Sequence, residues 1–438
     1  GLTVTVGGLP AGTGGNVTIA GPGGFSQTVT ATQSFSTLTP GTYTISAITV
    51  SSGGTDYSPN PPSQTATVST GSIAGATVSY GAVVPGALNL RIDGMYLTQS
   101  VQTYAGAVPL VQGRDGYLRV FVTASQGNAV APSVRVRFYT NGVLAQTMTI
   151  NAPGSSTPMV PDESSLSNSW NVAVPKALIQ PNLSILADVD PLNTVAEGNE
   201  GDNNFPASAT PLAMDVRSTS TFNVTFVPIL QSVNGRLGNV TAGNKDQFLT
   251  ETMKMHPLAA YDAILRTQLT TAQPAVDSNN TNNAWILILG ELNAARTADG
   301  SSRYYFGVLN PTYNSGVAGI GYVGGRSALG WDKLPSGALV AAHEWGHNWG
   351  RNHAPCGMPS GIDPNYPHAD GSTGVYGLDV ATATLEPPTY SDLMGYCSPK
   401  WISDYTYVGV LDYRSANPDV AGALSLAMQP CLLVWGHI

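Results

Sequence analysis

The sequence predicts a multidomain chain in which two N-terminal all-β sandwich modules precede an α/β (α+β) domain that carries the chemistry. Three observations predict it. Over residues 1–85, short Val/Thr/Ile runs such as LTVTV, NVTIA and YTISAITV alternate with Gly and Pro turns, the rhythm of short strands in a sandwich. From about Ser218 that texture gives way to strand runs mixed with helical periodicity. Within this last part, three of the chain's six histidines fall between His343 and His353.

Composition narrows the class. A chain of 438 residues is too long for one ordinary core. Only 10% of its residues are charged, against roughly 25% in a typical soluble protein. The surface is therefore built from Ser, Thr, Asn, Gln and Gly, as in extracellular bacterial β-rich proteins. With 42% hydrophobic residues the chain is not expected to be disordered. A net charge of -9 without a basic run argues against nucleic acid and acidic membranes as partners. No stretch approaches the roughly 20 apolar residues of a membrane span. The chain opens GLTVTV without Met or signal peptide, as expected of a mature product or a trimmed chain. A monomer is expected.

The first module, 1–85, contains neither His nor Cys, so no chemistry is expected there. The second, 86–216, offers strands such as LNLRIDGMYLTQ, GYLRVFVTA, SVRVRFYTNG and LSILADVD, then the acidic, Asn-rich DVDPLNTVAEGNEGDNNFP. This loop before a final strand resembles the adhesion-related immunoglobulin-like (CARDB-like) modules of bacterial surface proteins. Asp188, Asp190, Glu197, Glu200 and Asp202 could hold Ca2+ by oxygen chemistry. Their spacing matches no EF-hand loop, so a capped, solvated turn is the expectation and calcium the alternative.

The third part, 217–425, opens with TFNVTFVPIL as a strand. DQFLTETMKMHPLAAYDAILRTQL follows with helical periodicity and a break at His256-Pro257. AWILILGEL reads as a strand buried on both faces, and SRYYFGVLN and GIGYVGGRSALG as further strands. A helix beginning near Pro335 or Ser336 then runs toward Gly350.

That helix carries HEWGHNWGRNH, residues 343–353. Histidines at i and i+4 share one helix face, so His343 and His347 can reach a single metal ion. Gly350 can take left-handed backbone angles, end the helix and let the chain return His353 as a third ligand. Three nitrogen ligands and an open fourth position describe a catalytic Zn2+ site, with Glu344 placed to act as general base on a zinc-activated water. Trp345 and Trp349 are expected in the core.

The pattern H-E-x-x-H-x-x-G-x-x-H resembles the metzincin clan of zinc endopeptidases, over residues 218 to 415. The resemblance implies a metzincin-type catalytic domain and a tight methionine-bearing turn beneath the metal, for which YSDLMGYC supplies Met394. Tyr396, in Met-x-Tyr spacing, is similar to the tyrosine of the astacin and serralysin branches, which implies an oxyanion-stabilising role. The resemblance also implies an edge strand above the helix that pairs with extended substrate, here residues 319–327 with Gly319, Tyr322 and Gly324 as candidates. Ala354 and Pro355 after the third histidine match none of the large branches. HAPCG and MGYCSPKWISDYTY are similar to secreted bacterial reprolysin-like or mucin-cleaving members.

Cys356, Cys397 and Cys431 all follow the motif. In a secreted chain Cys356 and Cys397 are the expected disulfide, with three free thiols as the alternative; Cys431 is then left over. PCLLVWGHI in 426–438 reads as a terminal strand that begins a further β module. The functional expectation is a secreted zinc endopeptidase acting on protein or glycoprotein. The alternative is an adhesin, or a glycan- or protein-binding surface protein, whose metalloprotease domain is catalytically weak.

Overall fold

A computed structural model describes residues 1–84 and 87–419 in full and 433–437 as backbone. Cys431 and most of the 426–438 segment lie outside the described residues. The chain divides into two compact units. One comprises 1–96, 118–172 and 182–214; the other comprises 97–117, 173–181 and 215–438.

In the first unit, residues 1–82 fold as two facing sheets. One has the strand order 33–35, 2–7, 74–82, 55–60, 50–52, and the other 25–29, 17–21, 41–47, 63–68. Period-2 alternation explains the core: Tyr43, Ile45 and Ala47 point inward from Gly41–Ala47 while Thr42, Thr44 and Ser46 face solvent. The second β module places 134–140 between 143–150 and 183–189, and a smaller sheet runs 90–98, 116–124, 170–174. Trp170 fills its interior and donates its indole N–H to the Pro132 carbonyl at 2.8 Å. The expectation of two N-terminal β modules holds.

The second unit is a mixed sheet with helices. Its elements are β1 (Phe222–Gln231), α1 (Thr250–Met255), β2 (Tyr261–Leu265), α2 (Ala284–Ala298), β3 (Tyr304–Leu309), β4 (Val317–Tyr322), β5 (Ser327–Trp331), α3 (Ser336–Asn348), α4 (Asp404–Ala416) and β6 (Leu433–His437). β2, β1, β3 and β5 pair in parallel, whereas β4 runs antiparallel to β5. Residues 97–117, counted with the second β module by sequence, belong here: Val101, Val108 and Val111 pack with Met255, Ala342, Leu393 and Trp401.

Two sequence expectations require correction. AWILILGEL is not a strand but the start of α2. Its buried residues, Ala284, Trp285, Ile288, Leu289 and Leu292, recur at helical spacing, while Leu287 is exposed. An unbroken apolar run hides that period. The helical reading of 246–269 stops at His256-Pro257, after which YDAIL is strand β2. The terminal strand expected in 426–438 adds to this sheet over 433–437: β6 lies antiparallel to β4, with Gly319 opposite Gly436 and Tyr322 opposite Leu433.

Candidate metal centre

The centre is built on α3. Ala341 and Trp345 face a core of Phe222, Phe226 and Phe306, with Trp345 edge-on to Phe222 at 5.0 Å between ring centres. Trp349 joins the same cluster, so both tryptophans are core residues. The opposite side of the helix carries His343 and His347. Asn348 Nδ2 donates to the carbonyls of Tyr322 (3.0 Å) and Ser327 (3.1 Å), tying the helix to the ends of β4 and β5.

Gly350 ends the helix at φ 79°, the left-handed region. Its N–H donates to the His347 carbonyl at 2.8 Å, and that of Arg351 to the Gly346 carbonyl at 3.0 Å. The chain then doubles back. His353 is pinned by its own N–H to the Gly361 carbonyl (3.2 Å) and by the Asp363 N–H to its carbonyl (2.8 Å).

The three imidazoles converge. Each Nδ1 donates to a backbone carbonyl: His343 to Leu393 at 2.8 Å, His347 to Arg351 at 2.7 Å and His353 to Ser360 at 2.6 Å. A carbonyl can only accept, so the proton of each neutral ring sits on Nδ1 and each Nε2 presents a lone pair. Yet the Nε2 atom of His353 lies 3.2 Å from that of His343 and 3.1 Å from that of His347. Neither contact is a hydrogen bond in this tautomer. Lone pairs facing one another in a buried site repel unless a cation lies between them, so the donor set fits a bound metal ion. Among the described residues this is the group of His, Cys, Asp or Glu side chains that could hold one.

Burial sets the protonation. It pushes His343 well below the ordinary imidazole range, with His347 and His353 adding, and brings His347 down to about 4. His353 is lowered by burial and then by His347. Neutral ligands are what metal binding requires. Because the folded values are depressed, the stability they confer is complete above the free-imidazole value of about 6.5 and is lost as pH falls toward 4. Metal release on acidification should therefore be displaced well below pH 6.5. A chelator-competition titration checks this, and release at the free-imidazole value would contradict it.

Glu344 is buried beside β4. A Cβ added to Gly319 would stand 2.5 Å from its Oε1, and one on Gly321 3.2 Å from its Oε2. The two glycines make the space that the carboxyl occupies, and Gly321 carries no motif that marks it for this role. Burial raises the Glu344 carboxyl well above its ordinary value, and Lys400 opposes that rise. Lys400 is itself lowered to about 8 by burial, against Asp392 and Glu344. Its Nζ donates to the Gly395 carbonyl at 2.6 Å. No spacing rule marked Lys400, which reaches the centre only through tertiary structure.

Met394 lies under the helix, where a Cβ on Gly346 would fall 2.4 Å from its sulfur; the glycine inside HEWGH is the local signal for that contact. Asp392 shapes the turn: its Oδ1 accepts from the Met394 N–H (2.7 Å) and its Oδ2 from the Ser403 N–H (2.8 Å). The Tyr396 ring stands 4.8 Å from that of His353. Of the strand candidates, Gly319 and Tyr322 lie in β4, whose outer side is covered by β6, so β4 is not an edge. Gly324 lies beyond the strand, in a turn whose N–H donates to the His347 carbonyl. Sequence could not foresee the partner because it comes from far along the chain.

Cys356 and Cys397 form a disulfide with their Cα atoms 5.6 Å apart. It fastens the loop after His353 to the turn bearing Met394 and Tyr396, next to the Ala354 N–H bond to the Met394 carbonyl (3.2 Å). Closing a loop of 41 residues restricts the unfolded chain by about 4 kcal/mol. The Cys356→Ser, Cys397→Ser double variant should lose a few kcal/mol in denaturant unfolding and bind metal more weakly. Unchanged metal affinity would show that the bridge does not position His353.

Residues 107–207 match the CARDB family. No curated protein matches the chain. Solved structures similar to parts of it include a CARDB domain from Pyrococcus furiosus in complex with di-metal ions, 18% identical over 30% of this chain and 96% of that one, with a TM-score of 0.19. Another is a chaperone–substrate complex, 13% identical over 57% and 40%, with a TM-score of 0.25. The major pilin subunit of Bacillus cereus is 10% identical over 54% and 73%, with a TM-score of 0.16. TM-scores this low fix no fold for the whole chain. Among the described residues no helix is long and apolar enough to cross a membrane.

Proposed function

We propose that the chain is a secreted zinc endopeptidase of metzincin type, hydrolysing peptide bonds of proteins or glycoproteins. The observation that carries this reading is the convergence of three buried Nε2 lone pairs, two of them from the helix that also carries the buried Glu344. Nitrogen donors and a three-residue ligand set favour zinc and leave a position open for water. When bound, zinc supplies Lewis acidity and brings a water's pKa toward neutrality.

The chain's own groups do the rest. Glu344, one residue from a ligand and held in a dry site, accepts the proton of the attacking water and returns it to the leaving amine. Tyr396, its ring 4.8 Å from that of His353, is the candidate to offer a phenol to the developing oxyanion charge. The Nδ1–H bonds to Leu393, Arg351 and Ser360 keep the imidazoles in register. An extended substrate would pair with β4 in the place now held by β6. Truncation after residue 432 is therefore expected to raise peptide cleavage several-fold. A truncated chain that is folded yet no faster would remove β4 from the substrate site.

The second reading, an adhesin or surface-binding protein with a catalytically weak metal domain, is favoured by the CARDB match to 107–207, an adhesion-related domain. One assay separates them: incubation with a denatured protein and with an O-glycosylated mucin, with and without chelator, and cut sites read by mass spectrometry. Chelator-sensitive cuts in either substrate support the endopeptidase, and cuts in mucin alone would mark glycoprotein specificity. Intact substrates leave the binding reading.

A further inference from the structure

In the first unit, the outer faces of two sheets line a cleft that owes nothing to the histidines. Alternation along strand 134–140 sends Val134, Val136 and Phe138 into the core and Arg135, Arg137 and Tyr139 to the opposite face. On the neighbouring strand 183–189, Asp188, Leu186 and Ser184 stand opposite these three. The outer face of an antiparallel sheet ordinarily meets open water. Here it forms one wall of a cavity of about 640 Å³, within the roughly 300–1,000 Å³ of small-molecule sites. The other wall comes from the first β module, where Thr44 and Thr65 are exposed partners on strands 41–47 and 63–68.

The charges of this cleft are already matched to one another. Arg135 grips Asp188 with Nε and Nη2 at 3.1 and 2.7 Å, and Arg137 Nη2 donates to the same carboxylate at 2.9 Å. Asp190 accepts the Thr194 hydroxyl and the Val195 N–H, both at 2.7 Å, and so caps its own turn. Two guanidiniums against two carboxylates leave no net charge to draw a phosphate, a sulfate or a cation. The backbone is matched as well. Strand 134–140 lies between 143–150 and 183–189, and 183–189 is paired on its far side by 204–205 and 212–213. An extended peptide finds no free edge on this wall to add to.

What the cleft offers instead is hydroxyls and amides, from Thr44, Thr65, Ser184, Asn60 and Gln64, beside the partly exposed ring of Tyr139. Hydroxyls and amides both donate and accept hydrogen bonds, and a tyrosine ring takes an apolar face. A ligand that meets both has C–H faces on its rings and a rim of hydroxyls. We propose that this cleft binds a short neutral saccharide, with Tyr139 stacked on one sugar ring and the hydroxyl and amide side chains bonded to its rim. The ion pairs that hold Arg135 and Arg137 to Asp188 keep the wall in place before the sugar arrives. The assignment needs neither the metal centre nor its activity, so it stands under either reading of the function.

Saturation-transfer NMR on the intact, zinc-loaded chain tests this with lactose, maltose, cellobiose and chitobiose as neutral probes and sialyllactose as an acidic one. At least one neutral disaccharide is expected to show saturable transfer. Tyr139→Ala should weaken its binding by about tenfold, whereas Tyr139→Phe, which keeps the ring, should not. Gln27→Ala, in strand 25–29 outside the cleft, should leave the affinity unchanged. Transfer to sialyllactose alone, no transfer to any probe, or equal affinity in wild type and the folded Tyr139→Ala variant would each overturn the site.

Discussion

Glu344→Gln is expected to retain one metal ion per chain and to lose about 10²–10⁴-fold in the rate of peptide cleavage. Glu344 is not among the three side chains that make the ligand set, so an amide in its place leaves those donors intact. The substitution removes the group that can accept a proton and substitutes one that cannot. It also removes a carboxyl that burial penalises, so the variant should unfold no more easily than wild type. Metal content and turnover measured on the same preparation separate the two effects. A variant that kept the wild-type rate would show that Glu344 is not the base; one that lost metal and activity together would make it a structural group.

His343→Ala is expected to weaken metal binding by more than about 100-fold, since loss of an outer-shell partner alone commonly costs 10–100-fold. Under metal concentrations near 100 times the wild-type dissociation constant, the stabilisation lost is about 2.3–2.7 kcal/mol. The lone-pair geometry adds a condition. In metal-free protein the His353 Nε2 faces those of His343 and His347 across 3.2 and 3.1 Å, so removing His343 relieves one of these two repulsions. Stripped wild type and stripped variant should therefore unfold at similar temperatures, and only the metal-loaded pair should diverge. A variant equally destabilised with and without metal would mean that His343 is a packing residue.

The parts of the centre that were legible in the sequence are those set by local geometry. His343, His347 and Gly350 need only the helix period and a left-handed turn, and both form as the spacing implies. The disulfide, open in the sequence between a bond and free thiols, is formed. Long-range contacts leave no such mark. Lys400 arrives at Glu344 from a distant turn, Gly321 clears space for a side chain on another element, and residues 97–117 join a core whose other members follow by more than a hundred positions. α2 is hidden in the sequence for a different reason. AWILILGEL is apolar at nearly every position, so neither a period of two nor one of 3.6 stands out, and its length including NAARTA decides for the helix. β4 was recognised as a strand, but its place inside the sheet depends on Leu433–His437.

X-ray absorption at the zinc edge, on protein loaded with one equivalent of Zn2+, tests most directly whether the three histidines form an open metal centre. The account predicts three imidazole nitrogens at about 2.0–2.1 Å with one further oxygen. A first shell containing sulfur, or one made of oxygens with fewer than three imidazoles, would contradict it.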